Sequence, residues 1–240
     1  MTDDDNTNKN ASLPSSSCLS SSYESILTSL LPPSIAHIPL SLPVSPATPH
    51  IPSDAISSLS VHPVLEAGLH ILNLDLPSAH YLLRHMQSAP AWEAMYLHGI
   101  LHRVEGDLEN ARAWYGDVKS TDVFKFVWDD EEEQGDDRRE DSNSSPNEDA
   151  GYGGALRFLS QVETYKLKRC PASHTTTATG LEGDMTQKSQ RELERFMTFC
   201  EVKFGTSPIS DASSVWVSMA GKNKEQAANM VTGGEGWREF

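Results

Sequence analysis

Two histidines, His98 and His102, lie four residues apart in a stretch whose apolar residues recur with a helical period. That spacing places both imidazoles on one face of a helix. The same face is expected to pack against neighbouring helices, where an unpaired polar group costs about 1–3 kcal/mol. Both side chains therefore need partners, which can be backbone carbonyls, carboxylates or a metal ion.

A third histidine comes from the preceding predicted helix. His80 lies nine residues before the turn near residue 89, and His98 lies nine residues after it, so an antiparallel helix pair places the two at one height. Imidazole nitrogens are ligands that suit divalent transition metals. We therefore predict a candidate metal site formed by His80, His98 and His102. The auxiliary residues near it are His70, Glu105 and Asp107.

A structural role explains the same histidines without a metal. His70, His80 and His85 can simply face solvent. His98 and His102 can instead be core groups that bond to carbonyls or to nearby glutamates. The glutamates in reach are Glu66, Glu93 and Glu105. Both explanations stay open on the sequence, and no residue can be assigned a catalytic role.

The histidines belong to a predicted pair of helices within Ala91–Val118. Gly106 suits the left-handed residue that ends the first helix, and Asp107 can cap the second by accepting from free backbone N–H groups. The apolar positions recur at helical spacing. They are Met95, Ile100, Leu101 and Val104 in the first helix, and Leu108, Ala111, Trp114, Tyr115 and Val118 in the second.

A similar pair precedes it, with predicted helices over 61–74 and 76–87, offset by 31 or 32 residues. Small residues recur at matching positions, Gly68 and Ala79 in the first pair and Gly99 and Ala111 in the second, whereas the first pair has a shorter turn and has Leu83 where the second has an aromatic residue. The pattern is most complete in the second pair, at Gly99, Gly106, Ala111 and Tyr115. On these residues, the segment 61–118 resembles the tetratricopeptide repeat, which implies αα-hairpins and a groove for a protein or peptide. The string HRVEGDLENARAWY also resembles a group of bacterial and fungal proteins of unassigned function, which implies no activity.

Two arginines have alternative predicted roles, one of which involves the groove. Arg103 and Arg112 are predicted to form exposed pairs with Glu105 and Glu109, each worth about 0.3–0.5 kcal/mol. Alternatively, the two guanidinium groups line a carboxylate-binding groove, as some helical repeats provide. A two-repeat array is shorter than a solenoid usually needs, which favours a closed bundle.

Composition divides the chain of 240 residues into parts. Residues 1–58 are rich in Ser and Pro and are predicted to be a disordered tail. Residues 59–240 form the predicted helical domain, interrupted by an acidic disordered insertion at 129–150 and a loop at 171–188. Eleven acidic residues and two arginines give 129–149 a net charge of −9, out of −15 for the whole chain. No basic cluster balances this acidity, which argues against a nucleic-acid partner.

The compartment is predicted from what the sequence contains. The start MTDDDNTNKN is acidic and unlike a secretory signal, and prolines interrupt the apolar stretch 26–44. Three widely spaced cysteines, Cys18, Cys170 and Cys200, match no zinc or redox spacing. We expect a soluble, intracellular protein, cytoplasmic or nuclear, that does not bind membranes.

The predicted fold is an all-α compact bundle of about six helices. Two come from each hairpin, and two more are predicted over 154–168 and 189–204; the short apolar segment 121–128 either closes the stack or forms an extended edge. The leading function hypothesis is a helical binding or scaffold module for a protein or peptide partner. The alternative is a metal-dependent enzyme or metal-binding protein that uses His80, His98 and His102.

Overall fold

The computed structural model describes residues 22–31, 49–129, 150–168 and 179–217, and within these ranges the fold is all-α with no strand. The described residues form nine α-helices rather than about six, and a single 3₁₀ turn at Ser213–Val215. The helices are α1 Tyr23–Leu30, α2 Ser53–Ser57, α3 Pro63–Leu72, α4 Leu76–Leu83, α5 Trp92–Glu105, α6 Leu108–Val118, α7 Asp122–Trp128, α8 Ala150–Lys168 and α9 Thr179–Phe204.

Helix α5 lies at the centre of the bundle. It packs against α3, α4, α6 and α7, and every residue from Glu93 to Leu101 is buried. A helix covered on all sides cannot show a single apolar stripe, which explains its mixed sequence. The helix ends at Glu105 and is capped by Gly106, whose φ of 84° is left-handed; Asp107 then caps α6 by accepting from the Asn110 N–H. Both caps were predicted.

The two long helices α8 and α9 close the bundle. Helix α8 packs against α6 and α7, and α9 packs against α3, α7 and α8. The apolar face predicted for α9 is buried, including Phe196, Met197 and Cys200. Segment 121–128, for which the sequence allowed either a role in closing the helical stack or an extended edge, forms helix α7. No described helix is both long enough and apolar enough to cross a bilayer.

The predicted tail 1–58 requires a correction, because it contains α1 and α2. Tyr23, Ile26 and Leu30 are each about 4% exposed and Ile56 is fully buried. The first three follow an i, i+3, i+7 pattern, and Ser22 caps their helix by accepting from the Ser25 N–H. A short apolar stripe of this kind is enough to join the core, even inside a Ser- and Pro-rich segment.

The predicted loop 171–188 also requires a correction, because α9 begins at Thr179. Met185 and Ser189 are buried, so the first half of α9 gains tertiary contacts that outweigh the helix-breaking tendency of its glycines. Residues 130–149, which hold most of the predicted acidic insertion 129–150, lie outside the described residues. Asp129 follows the end of α7, and α8 begins at Ala150.

Candidate metal centre

Three imidazoles converge between α4 and α5. One ligand atom from each of His80, His98 and His102 can be chosen so that all three lie within 4.8 Å of one another. The ring centroids are 5.2 Å apart for His80 and His98, 5.3 Å for His80 and His102, and 4.9 Å for His98 and His102. The structure thus brings together the three residues of the sequence-based hypothesis.

The helices hold this arrangement in place. His98 and His102 lie one turn apart on α5 with their rings stacked, and α4 packs against α5 so that His80 faces both. His98 is about 3% exposed, and its ring stacks on Trp114 of α6 at 4.8 Å. Gln87 Nε2 lies 3.5 Å from His98 Nδ1. The side chains of His80 and His102 are each 15% exposed, so the cluster opens towards solvent on that side.

Glu105 lies beside two of the three histidines, outside the set whose ligand atoms lie within 4.8 Å of one another. Its two carboxylate oxygens divide between two histidines: Oε1 lies 3.2 Å from His80 Nδ1, and Oε2 lies 3.3 Å from His102 Nδ1. The His102 Nδ1 atom is buried and has no hydrogen-bond partner, so its contact with the carboxylate is close but not aligned as a hydrogen bond. The cluster therefore offers nitrogen and carboxylate oxygen atoms within a few ångströms of each other.

Burial keeps two of the imidazoles neutral. The pKa of His80 falls to about 4, mainly because burial desolvates the ring; the Glu105 carboxylate opposes this fall, and the charges of His102 and Arg84 add to it. Desolvation also lowers the pKa of His98 well below its ordinary value, with smaller effects from His102 and His80. A neutral imidazole has a free lone pair, which is the form that binds a metal.

These pKa shifts predict how the stability of the metal-free protein depends on pH. His80 and His62, which stacks on Phe204, both have a folded-state pKa of about 4, against about 6.5 when unfolded. Between these values the unfolded chain binds more protons, so stability is lost as pH falls. We expect each of the two groups to lower the free energy of unfolding by about 2 kcal/mol from pH 7 to about pH 4.5. Urea denaturation at the two pH values measures it.

Two variants separate this effect from general acid sensitivity. His62→Leu removes one titrating group and is expected to reduce the drop, whereas His85→Leu, at an exposed position, is expected to leave it unchanged. An equal free energy of unfolding at both pH values would contradict the prediction.

The other auxiliary residues lie elsewhere. His70 is about 2% exposed and therefore does not face solvent; its Nδ1 lies 3.1 Å from Asp75 Oδ2 and its Nε2 lies 3.8 Å from Glu66. It is not part of the cluster. Asp107 is occupied as the cap of α6. Of the three auxiliary residues, only Glu105 joins the histidines.

The predicted exposed pair of Arg103 with Glu105 is wrong. Arg103 is fully buried, and its Nη2 donates to Glu192 Oε2 at 2.9 Å, while Nη1 donates to Ser189 at 3.0 Å. Arg112 does pair with Glu109, at 2.7 Å, and also with Glu163 at 2.5 Å. The two arginines do not share a surface, because one is inside the core and the other is part-exposed on α6.

The buried ion pair is the centre of a polar network that sequence analysis missed. Glu192 is about 2% exposed and accepts from the hydroxyls of Tyr96 at 2.8 Å and Tyr115 at 2.6 Å. The Trp128 indole N–H donates to the Tyr96 oxygen at 2.8 Å. One signal was available: Tyr96, Ile100 and Arg103 follow an i, i+4, i+7 pattern, which places the arginine on an apolar face of α5.

Comparison with protein-family models, curated proteins and solved structures finds no match to the chain. The resemblance to the tetratricopeptide repeat therefore stays a prediction. The functional argument depends on the geometry of the site itself.

Proposed function

We propose that this chain binds a divalent transition metal ion through His80, His98 and His102. The observation that carries the proposal is the convergence of three ligand atoms within 4.8 Å. Imidazole ligands suit zinc and its neighbours in the first transition series, whereas magnesium and calcium prefer oxygen. The lowered pKa values of His80 and His98 support the proposal, because no proton has to leave these two rings at neutral pH.

Loading the site requires only small movements. Zinc–nitrogen bonds of about 2.0–2.1 Å in a tetrahedron place ligand atoms about 3.4 Å apart, which is closer than the widest separation in the cluster. His80 and His102 lie at the more open side and can turn towards the ion, while His98 is held between Trp114 and its own helix. The buried His98 can thus stay in place while His80 and His102 turn towards the ion.

The hypothesis of a binding module for a protein or peptide partner stays a prediction, as does an intracellular location. The groove proposed for that partner loses support, because Arg103 is buried against Glu192 and Arg112 is paired with Glu109 and Glu163. A catalytic role for the metal is likewise a prediction, with no reaction assigned.

Metal binding can be measured directly. We expect the purified protein, loaded with Zn²⁺ and dialysed, to retain one ion per chain. At a free Zn²⁺ concentration 100 times Kd, the ion should stabilise the fold by about 2.7 kcal/mol. Substituting His80 with Ala should weaken binding at least tenfold, as measured by competition with a coloured chelator, because one of three ligands is lost.

The matched control is His85→Ala, which removes an exposed histidine from the same part of the chain. His85 contacts Tyr81 and Trp216 instead of the cluster, so this variant should bind Zn²⁺ like the wild type. A folded wild-type protein without retained zinc and without any zinc-dependent stabilisation would refute the proposed function. Equal binding by His80→Ala and His85→Ala would place the metal elsewhere.

A further inference from the structure

Among the carboxylates that the structure describes, Glu105 is set apart by its position next to two of the clustered histidines. It is the last residue of α5, three residues after His102 and seven after His98, and this spacing keeps all three side chains on one face of the helix. Its carboxylate faces His80 across the gap to α4 at 3.2 Å. Its side chain is 28% exposed, so part of the carboxylate still meets solvent.

The geometry of the two Glu105 contacts distinguishes between two roles. A carboxylate that orients a histidine accepts an aligned hydrogen bond from the ring N–H. Two ligands of one tetrahedral ion instead lie about 3.4 Å apart, and both point at the ion rather than at each other. The oxygens of Glu105 lie 3.2 and 3.3 Å from the two Nδ1 atoms, and the buried His102 Nδ1 makes no hydrogen bond. These separations are close to the spacing of two ligands in a tetrahedron, and the missing hydrogen bond at His102 is what an orienting carboxylate would not show.

We infer that Glu105 is the fourth ligand, so that the site is a closed centre of three histidines and one glutamate. This inference rests on the proposed function and adds the coordination number to it. Sites with four protein ligands are structural, whereas catalytic zinc sites keep one position for water. The ion therefore fastens α4 to α5: one ligand comes from the shorter helix and three come from the longer one.

Cobalt replaces zinc as the probe, because the visible absorption of Co²⁺ reports its coordination and changes when an added anion binds to it. We expect the Co²⁺-loaded wild-type protein to show a four-coordinate spectrum that azide does not alter. Glu105→Gln keeps the shape of the side chain but removes its charge. This variant should bind Co²⁺ at least tenfold more weakly and give a spectrum that responds to azide.

Glu109→Gln is the matched control, since it removes a neighbouring carboxylate that pairs with Arg112 outside the cluster. Its affinity and spectrum should equal those of the wild type. An azide response in the wild-type protein, or equal affinity and spectra for Glu105→Gln and wild type, would overturn the inference while leaving the three-histidine site in place. Absence of Co²⁺ and Zn²⁺ binding by the wild type would overturn both. The azide experiment on the wild type gives a result even if the variant does not fold.

Discussion

Replacing Glu192 with alanine is expected to lower the free energy of unfolding by about 3–5 kcal/mol. The substitution leaves the guanidinium of Arg103 fully buried without its counter-charge. It also removes the acceptor of the Tyr96 and Tyr115 hydroxyls, which are themselves buried. A lost partner for a buried charge destabilises far more than the loss of an exposed ion pair. Urea denaturation followed by circular dichroism measures the difference.

Glu194→Ala provides the comparison, because Glu194 is an exposed residue on the same helix that accepts from Gln190. This variant should stay within about 0.5 kcal/mol of the wild type. If Glu192→Ala unfolds at the same urea concentration as Glu194→Ala, Arg103 does not need its carboxylate.

Replacing Gly99 with leucine is expected to destabilise the fold by more than about 2 kcal/mol. A Cβ atom at this position would lie 2.8 Å from Cδ1 and 2.9 Å from Cε1 of Tyr115, and 3.0 Å from Cβ of Trp114. The tyrosine cannot easily turn away, because its hydroxyl donates to Glu192. A larger side chain would therefore push α6 away from α5, and thermal unfolding would show the loss.

Gly153→Ala is the matched control on α8. Its new Cβ would have Arg157 at 3.5 Å as the nearest neighbour, an ordinary contact. Because alanine favours helix over glycine by up to about 1 kcal/mol, this variant should be as stable as the wild type or more so. A wild-type melting temperature for Gly99→Leu would show that α5 and α6 do not approach each other as described.

Local signals in the sequence predicted the central hairpin well. Gly106 and Asp107 act through their own backbone and their nearest neighbours, so their types are sufficient to indicate a helix end and a helix start. The convergence of the histidines followed from two further local facts: the four-residue spacing on α5 and the equal distance of His80 and His98 from one turn. Metal binding by these histidines cannot be inferred from local sequence signals, and it stays a proposal.

Partners distant in sequence could not be predicted in this way. Arg103 comes shortly before the charged residues Glu105 and Asp107, which makes its surroundings look exposed, and its partner Glu192 lies 89 residues later. Nothing near Arg103 indicates which carboxylate will reach it, although its place on an apolar face was visible. Helix α1 was missed for a related reason. Its few apolar residues indicate a packed helix only when the surface against which they pack is known.

The separation between Arg103 and Glu192 has a consequence for biosynthesis. A ribosome adds about 5–20 residues each second, so the arginine precedes its glutamate by roughly 4–18 s. Until Glu192 is synthesised, the carboxylate that neutralises Arg103 in the folded core does not exist, so we expect water to solvate the guanidinium during that interval. The interval between the synthesis of Tyr23 and that of its hydrogen-bond acceptor Glu201 is longer still, because the two are 178 residues apart. We therefore expect the final packing of the core to depend on α9, and a chain that stops before residue 192 to lack the buried counter-charge of Arg103.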